Sequence, residues 1–125
     1  MIIRKLKEIE NSNRDISWGN GNSRRFLLKE DNMGYTLTDT IIDENTESYL
    51  EYKNHLEACY CIEGYGEIET KHEAYAIEPG TMYALDNHEP HRLRAKTKMR
   101  LICVFNPPLS GSEIHQLNKD GASSY

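Results

Sequence analysis

Glu57 is the residue of this chain that most needs a chemical explanation. It lies in the run His55-Leu56-Glu57-Ala58-Cys59-Tyr60-Cys61-Ile62. In a strand, residues two apart share a face, so His55, Glu57, Cys59 and Cys61 point one way and Leu56, Ala58, Tyr60 and Ile62 the other. Both faces are largely uncharged, which predicts a strand buried on two sides. A carboxylate in that setting is costly unless a cation pairs with it or a metal binds it. Composition alone leaves a salt bridge to an arginine and a metal site equally open. Cys59 and Cys61 read as core residues, with metal binding together with Cys103 as the alternative. Cys103 reads as pocket wall, because no base stands at a triad-like spacing from it.

The elements that would position these residues are short strands. Arg25–Lys29, Tyr35–Ile42, His55–Ile62, Glu67–Thr70, Thr81–Leu85 and Met99–Phe105 are apolar, β-branched or alternating. Turn residues separate them at Asp31-Asn32, Gly64, Pro79-Gly80, Asp86-Asn87 and Asn106-Pro107-Pro108. Even spacing of many short strands predicts an all-β sandwich or barrel with few short helical turns. Ile3–Glu10 is the one candidate helix, and its Leu6/Ile9 pattern is brief. The reading is a single domain over 1–125 with a mobile C-terminal tail from about Gly111.

The 125 residues suffice for one core, although hydrophobic residues supply only 38% of them. The net charge of −5 argues against nucleic acid, since phosphate binding needs clustered Lys and Arg. No apolar run approaches a membrane span, and Met1-Ile2-Ile3-Arg4-Lys5 lacks a signal-peptide pattern. Three cysteines without disulfide-like spacing suit a reducing cytoplasm.

Two spacings resemble the motifs of cupin barrels. Glu57 is followed after six residues by Gly64, and Gly80-x-x-Tyr83-x-x-x-Asn87 repeats a second motif in which Tyr83 stands where cupins usually carry His. The usual His-x-His pair of the first motif is replaced by Glu51 and Lys53. Glu57, Tyr83 and the nearby His91 could supply a replacement ligand set. Their O and N donors suit Fe(II), Mn(II) or Zn(II) rather than Cu(I), and a metal would stabilise the phenolate. Without a metal, Tyr83 would be a core aromatic with a hydrogen-bonded hydroxyl, and His91 a turn residue beside Pro90. His88 is a further candidate ligand, but lies inside a turn.

Over nearly its whole length the sequence resembles the ectoine synthases of the cupin superfamily. The likeness rests on Trp18–Arg25, Tyr52–Ala58, Tyr60–Gly64, Pro79–Asp86 and Cys103–Pro107. The resemblance implies a cupin-type antiparallel β-barrel whose enzyme is a hydro-lyase. It would close N-γ-acetyl-L-2,4-diaminobutyrate to the compatible solute ectoine with loss of water. It implies iron, Fe(II), on Glu57, Tyr83 and His91. It implies substrate contacts from Arg25, Thr40, Tyr52, His55, Cys103, Phe105, Glu113 and His115, and from Trp18. Many members carry the Trp closer to the arginine, where this chain has Gly21, and Thr38 stands where the family varies.

Such a reaction sets clear demands. An acetamide carbonyl is a poor electrophile, and its amine partner is mostly protonated at neutral pH. A Lewis acid would polarise the carbonyl while the pocket holds both ends together. A base must take the ammonium proton and an acid must release the hydroxyl as water. Tyr52, Glu113 and His115 are the candidates for this proton work, and Arg25 for gripping the substrate carboxylate. A tail folded over the pocket mouth would exclude water. The alternatives are a divergent metal cupin acting on another small amino-acid derivative, or a non-catalytic solute-binding cupin. Barrel cupins often pair through edge strands, so a homodimer is expected.

Overall fold

The computed structural model describes residues 1–117 and 122–125. It is built from β1 (Asp15–Ser17), β2 (Gly21–Leu27), β3 (Thr36–Ile42), β4 (Thr46–Glu51), β5 (Leu56–Glu63), β6 (Gly66–Glu69), β7 (Ala74–Ile77), β8 (Met82–Leu85), β9 (His91–Ala95), β10 (Met99–Asn106) and β11 (Ser123–Ser124). Helical structure is confined to α1 (Leu6–Ile9) and a 3-10 turn at Lys29–Asp31. The predicted Ile3–Glu10 helix thus shrinks to one turn, too short to sustain its own hydrogen bonds without a packed face.

The strands form two sheets, in the orders β1-β2-β3-β10-β5-β8 and β11-β4-β9-β6-β7. All pairings are antiparallel except the short parallel contact of β11 on β4. The all-β cupin class holds. The expected closed barrel is corrected in one respect: among the described residues the two sheets are not joined by a continuous ladder. Side chains from the facing inner surfaces hold them together instead.

The inner surface of the six-stranded sheet carries Thr36, Thr38, Thr40 and Ile42 of β3. Met99, Leu101, Cys103 and Phe105 of β10 continue it, all of them buried. Opposite stand Ser48 and Leu50 of β4, His91, Leu93 and Ala95 of β9, and Ile68 and Ile77. Full burial of a side chain such as Leu101 is worth about 2 kcal/mol.

The motif glycine Gly64 sits at φ +90 between β5 and β6, and a Cβ there would strike the Lys98 carbonyl. Only glycine fits that turn. The outer face of β5 differs from expectation: Leu56 and Tyr60 are exposed rather than buried. Together with Met82 and Val104 they make an apolar outer surface, because no layer among the described residues covers that side. No helix among the described residues is long and apolar enough to cross a membrane.

Candidate active site

A narrow cavity of about 30 Å³ lies between the sheets. Its lining takes Ser23 and Arg25 from β2, Thr40 from β3, Glu57 and Cys59 from β5, Tyr83 from β8, and Cys103 and Phe105 from β10. Tyr52, just beyond β4, joins them, as do Trp18, His115 and Tyr125. Glu57 and Cys59 face inward by strand alternation, and the Cys59↔Tyr83 register brings the phenol alongside.

Burial pushes Glu57 up to about 7, an effect that the neighbouring Cys59 and Tyr52 side chains only partly offset. No Lys or Arg forms a salt bridge with it among the described residues, so the arginine partner that composition allowed is not found there. Tyr83 and Tyr52 are both raised above the ordinary phenol value, first by burial. Each hydroxyl therefore keeps its proton unless a cation arrives.

His91 is buried on the opposite sheet, with its ring centroid 5.8 Å from that of Tyr52, and it is outside the cavity lining. Its Nδ1 lies 3.1 Å from the Glu89 carbonyl, so Nδ1 carries the proton. That leaves the Nε2 lone pair buried without a partner among the described residues. An orphaned imidazole nitrogen, fixed through its other nitrogen, is how metal-ligating histidines are commonly held. Burial lowers His91 to about 4, so the ring is neutral near pH 7. By donor type, a carboxylate without a cation, a half-buried phenol and an imidazole with an open lone pair suit a divalent metal. The donors that the structure gathers within 4.8 Å, however, are Glu57, Cys59 and Cys103, and His91 is not among them. His88, the alternative ligand, is exposed and its Nδ1 bonds the Tyr52 carbonyl at 2.8 Å.

Tyr52 connects the two walls. Its hydroxyl lies 3.1 Å from His115 Nε2, and His115 Nδ1 lies 3.0 Å from the Ser123 hydroxyl. Burial first, then His91 and Arg25, lower His115 to about 3. It is therefore a neutral ring whose two nitrogens are both partnered. Tyr125 stacks against it at 4.4 Å between centroids and closes that side of the cavity.

Arg25 is 1% exposed, and its guanidinium reaches out of β2 to the tail. It donates to Ser23 Oγ at 3.2 Å, to the Gly111 carbonyl at 3.0 Å and to the Glu113 carbonyl at 2.6 Å. Three of its five N–H groups are so used, leaving two for a ligand.

The remaining candidates divide. Thr40 lines the cavity and bonds Thr38 at 2.8 Å. His55 does not line it; its Nδ1 bonds the Pro107 carbonyl at 2.7 Å. The Glu113 carboxylate is turned back on its own loop, accepting from Ser110 N at 2.8 Å, Ser110 Oγ at 3.0 Å and Gly111 N at 2.9 Å. Burial opposes its charge, but those donors prevail and hold its pKa below the usual value. Of the expected tail, Gly111–Leu117 and residues 122–125 pack as described, and 118–121 lie outside the described residues.

Trp18 does reach the pocket. It is 6% exposed and its indole Nε1 has no partner among the described residues. Gly21, three positions later, opens β2 against the Ile41–Ile42 end of β3. At φ +154, a Cβ on Gly21 would run into the Ile41 carbonyl, so no side chain fits there. Tyr125 and Ser123 escaped sequence reasoning, because nothing in Ala122-Ser123-Ser124-Tyr125 has a period or motif.

Comparison with known proteins gives one answer. The sequence profile described as Ectoine synthase matches residues 1–124. The L-ectoine synthase of Desulfatibacillum aliphaticivorans is 54% identical over 98% of this chain and 95% of its own. The crystal structure of ectoine synthase from P. lautus superimposes with a TM-score of 0.88 at 56% identity, covering 90% of this chain and 83% of that one. The Cupin_2 domain of an XRE family transcriptional regulator from Enterobacter cloacae shares the fold at 13% identity, with a TM-score of 0.60 over 71% of this chain and 98% of its own.

Proposed function

The chain belongs to the ectoine synthase family, and we propose that its pocket closes N-γ-acetyl-L-2,4-diaminobutyrate to ectoine with loss of water. It is thus a hydro-lyase. The observation that carries the mechanistic side of this reading is the unmatched pair, Glu57 without a cation and His91 Nε2 without a donor.

Glu57, Tyr83 and His91 would hold Fe(II), with Zn(II) or Mn(II) as substitutes. When bound, the ion supplies a Lewis acid for the acetamide carbonyl. The chain does the rest. Arg25 offers its two spare N–H groups to the substrate carboxylate, and Trp18 Nε1 offers another donor from the same mouth. The Tyr52 hydroxyl and the neutral His115 ring form a proton path: His115 Nε2 accepts through Tyr52 the proton that the amine must lose. Returning that proton by the same route releases the hydroxyl as water. Glu113 works by shaping the loop that presents its own carbonyl to Arg25. Thr40, Cys103 and Phe105 form the wall, while His55 braces Phe105 edge-on, with 6.3 Å between centroids.

The cavity is small for such a substrate, so binding requires the side bearing His115 and Tyr125 to give way and then reseal. Resealing keeps bulk water from a dehydration. The apolar outer surface of Leu56, Tyr60, Met82 and Val104 would serve the expected homodimer, which light scattering would detect. Three free thiols suit a cytoplasmic enzyme.

The test is direct. Reduced protein loaded anaerobically with Fe(II) and given the acetylated diaminobutyrate should yield the cyclic product. Folded, iron-loaded protein that returns the substrate unchanged would overturn this reading.

A further inference from the structure

Cys59 and Cys103 stand directly opposite each other in the β5–β10 ladder, with their sulfurs 3.1 Å apart. Both are 2% exposed and both line the cavity. Glu57 lies two residues before Cys59 on the same face, and one donor atom from each of the three falls within 4.8 Å of the others. The sulfurs are too far apart for the bond of about 2.05 Å in a disulfide. Two thiolates bound at about 2.3 Å around a tetrahedral ion sit roughly 3.8 Å apart, a small side-chain rotation from this geometry. Tyr83, opposite Cys59 in the β5–β8 register and lining the same cavity, is the nearest candidate for a further oxygen donor.

We propose that Glu57, Cys59 and Cys103 form a second, thiolate-rich metal site for a soft or borderline divalent cation such as Cd(II) or Zn(II). Binding replaces two S–H bonds by two sulfur–metal bonds; both protons pass to the buffer and no oxidation state changes. Glu57 cannot serve this site and the iron site at once, so the two metals exclude each other. Only this exclusion rests on the iron assignment above. Zn(II) binds most N/O/S donor sets more tightly than Fe(II), and thiolates widen that advantage. The same pocket wall therefore makes the protein sensitive to thiophilic metals.

Cys61 is the internal control. It lies on the same strand, but its sulfur contacts the Glu63 and Gly64 carbonyls at 3.3 and 3.6 Å and it does not line the cavity.

Cd(II) added to reduced, metal-free protein under argon should produce a sulfur-to-metal charge-transfer band that saturates at one equivalent. Cys59→Ser should weaken binding about a hundredfold or more, and Glu57→Gln about tenfold with the band retained. Cys61→Ser should change neither. Cadmium NMR of the unaltered protein counts the thiolates by chemical shift and needs no variant to fold. Preloading with Fe(II) should raise the apparent Kd for Cd(II) at least about tenfold.

Absence of the band while all three thiols remain titratable would overturn the proposal, as would its loss in Cys61→Ser or its persistence at full affinity in Cys59→Ser. The two assignments can fail separately. If His91→Ala leaves iron binding unchanged while the cadmium results hold, only the iron assignment falls; the converse removes only the thiolate site.

Discussion

Asp39 and Glu57 are carboxylates buried in the same sheet, on the two strands that flank β10, and they are treated in opposite ways. Asp39 points outward from β3 and is clamped by Arg24 Nη2 at 2.6 Å and by Arg100 Nη2, also at 2.6 Å. Burial alone would raise its pKa, but hydrogen bonds from Arg100 and Arg24 carry it below the ordinary range. Glu57 points inward from β5, meets no cation among the described residues, and is pushed up to about 7 by burial. A charge that serves the fold is neutralised by the fold. One left unmatched in a cavity is held for something that binds there.

The severest break of this contrast is to remove the unmatched charge. Glu57→Gln keeps the shape of the side chain but discards its anionic oxygen. Turnover of the acetylated diaminobutyrate should fall on the order of a thousandfold or more, together with bound iron, while circular dichroism stays unchanged. Turnover close to normal would mean that Glu57 is merely a tolerated core acid.

The same change at the matched site should do the reverse. Asp39→Asn leaves Arg24, 6% exposed, with only the longer 3.8 Å pairing to Glu10, and Arg100 with only Glu63 at 3.6 Å. Denaturant unfolding should show a loss of about 3 kcal/mol, the lower end for a broken buried pair because Arg100 is partly solvated. The protein that remains folded should bind iron and turn over normally.

Titration of the metal-free protein should separate the two acids by sign. The folded pKa of Glu57 is raised from an ordinary 4.5 to about 7, so its contribution is complete below pH 4.5 and is lost as pH rises through about 7. The amount is on the order of 3 kcal/mol. Asp39 is lowered from 3.8, so its contribution is present above that pH and is lost as pH falls below it. His91 and His115, lowered to about 4 and 3, lose stability as pH falls below 6.5 and so oppose Glu57 in the same window. The readout is therefore the difference in stability between the unaltered protein and Glu57→Gln, measured from pH 4 to 8. A flat difference would refute the unmatched state of Glu57.

Much of this contrast was legible in the sequence, and the limits have physical causes. Glu57 stood out because its neighbours at two-residue spacing are uncharged, and Gly64 because a turn must follow. β3, β5 and β10 read clearly, since their inward faces are apolar or hydroxyl-bearing. β4 and β9 did not: Thr46–Glu51 and His91–Ala95 put Glu47, Glu51, Arg92 and Arg94 outward, and those charges masked the inward Ser48, Leu50, His91 and Leu93. Had the period been read there, His91 would have fallen on the inner face without help from any family. The outer face of β5 was misread as buried because Leu56, Ala58 and Tyr60 look alike whether a second layer or solvent covers them. Ser123 and Tyr125 meet His115 and Tyr52 through long-range packing, for which local sequence carries no signal.

The smallest effect tests whether the matched and unmatched distinction also holds between the two histidines. His91 keeps an open Nε2, whereas His115 is bonded through both nitrogens, to Tyr52 and to Ser123. If the open nitrogen marks the ligand, the bonded ring is a proton carrier whose tautomer is set by its partners. Ser123 also accepts the Gln116 N–H at 2.6 Å, and its second lone pair can accept His115 Nδ1–H, the tautomer that leaves Nε2 open to a proton from Tyr52. A proton taken up at Nε2 makes the ring an imidazolium, whose Nδ1–H is held by that hydroxyl acceptor. Ser123→Ala should therefore lower kcat about tenfold, with KM and iron content unchanged. Loss of iron instead would place His115 among the ligands and erase the difference between the two rings.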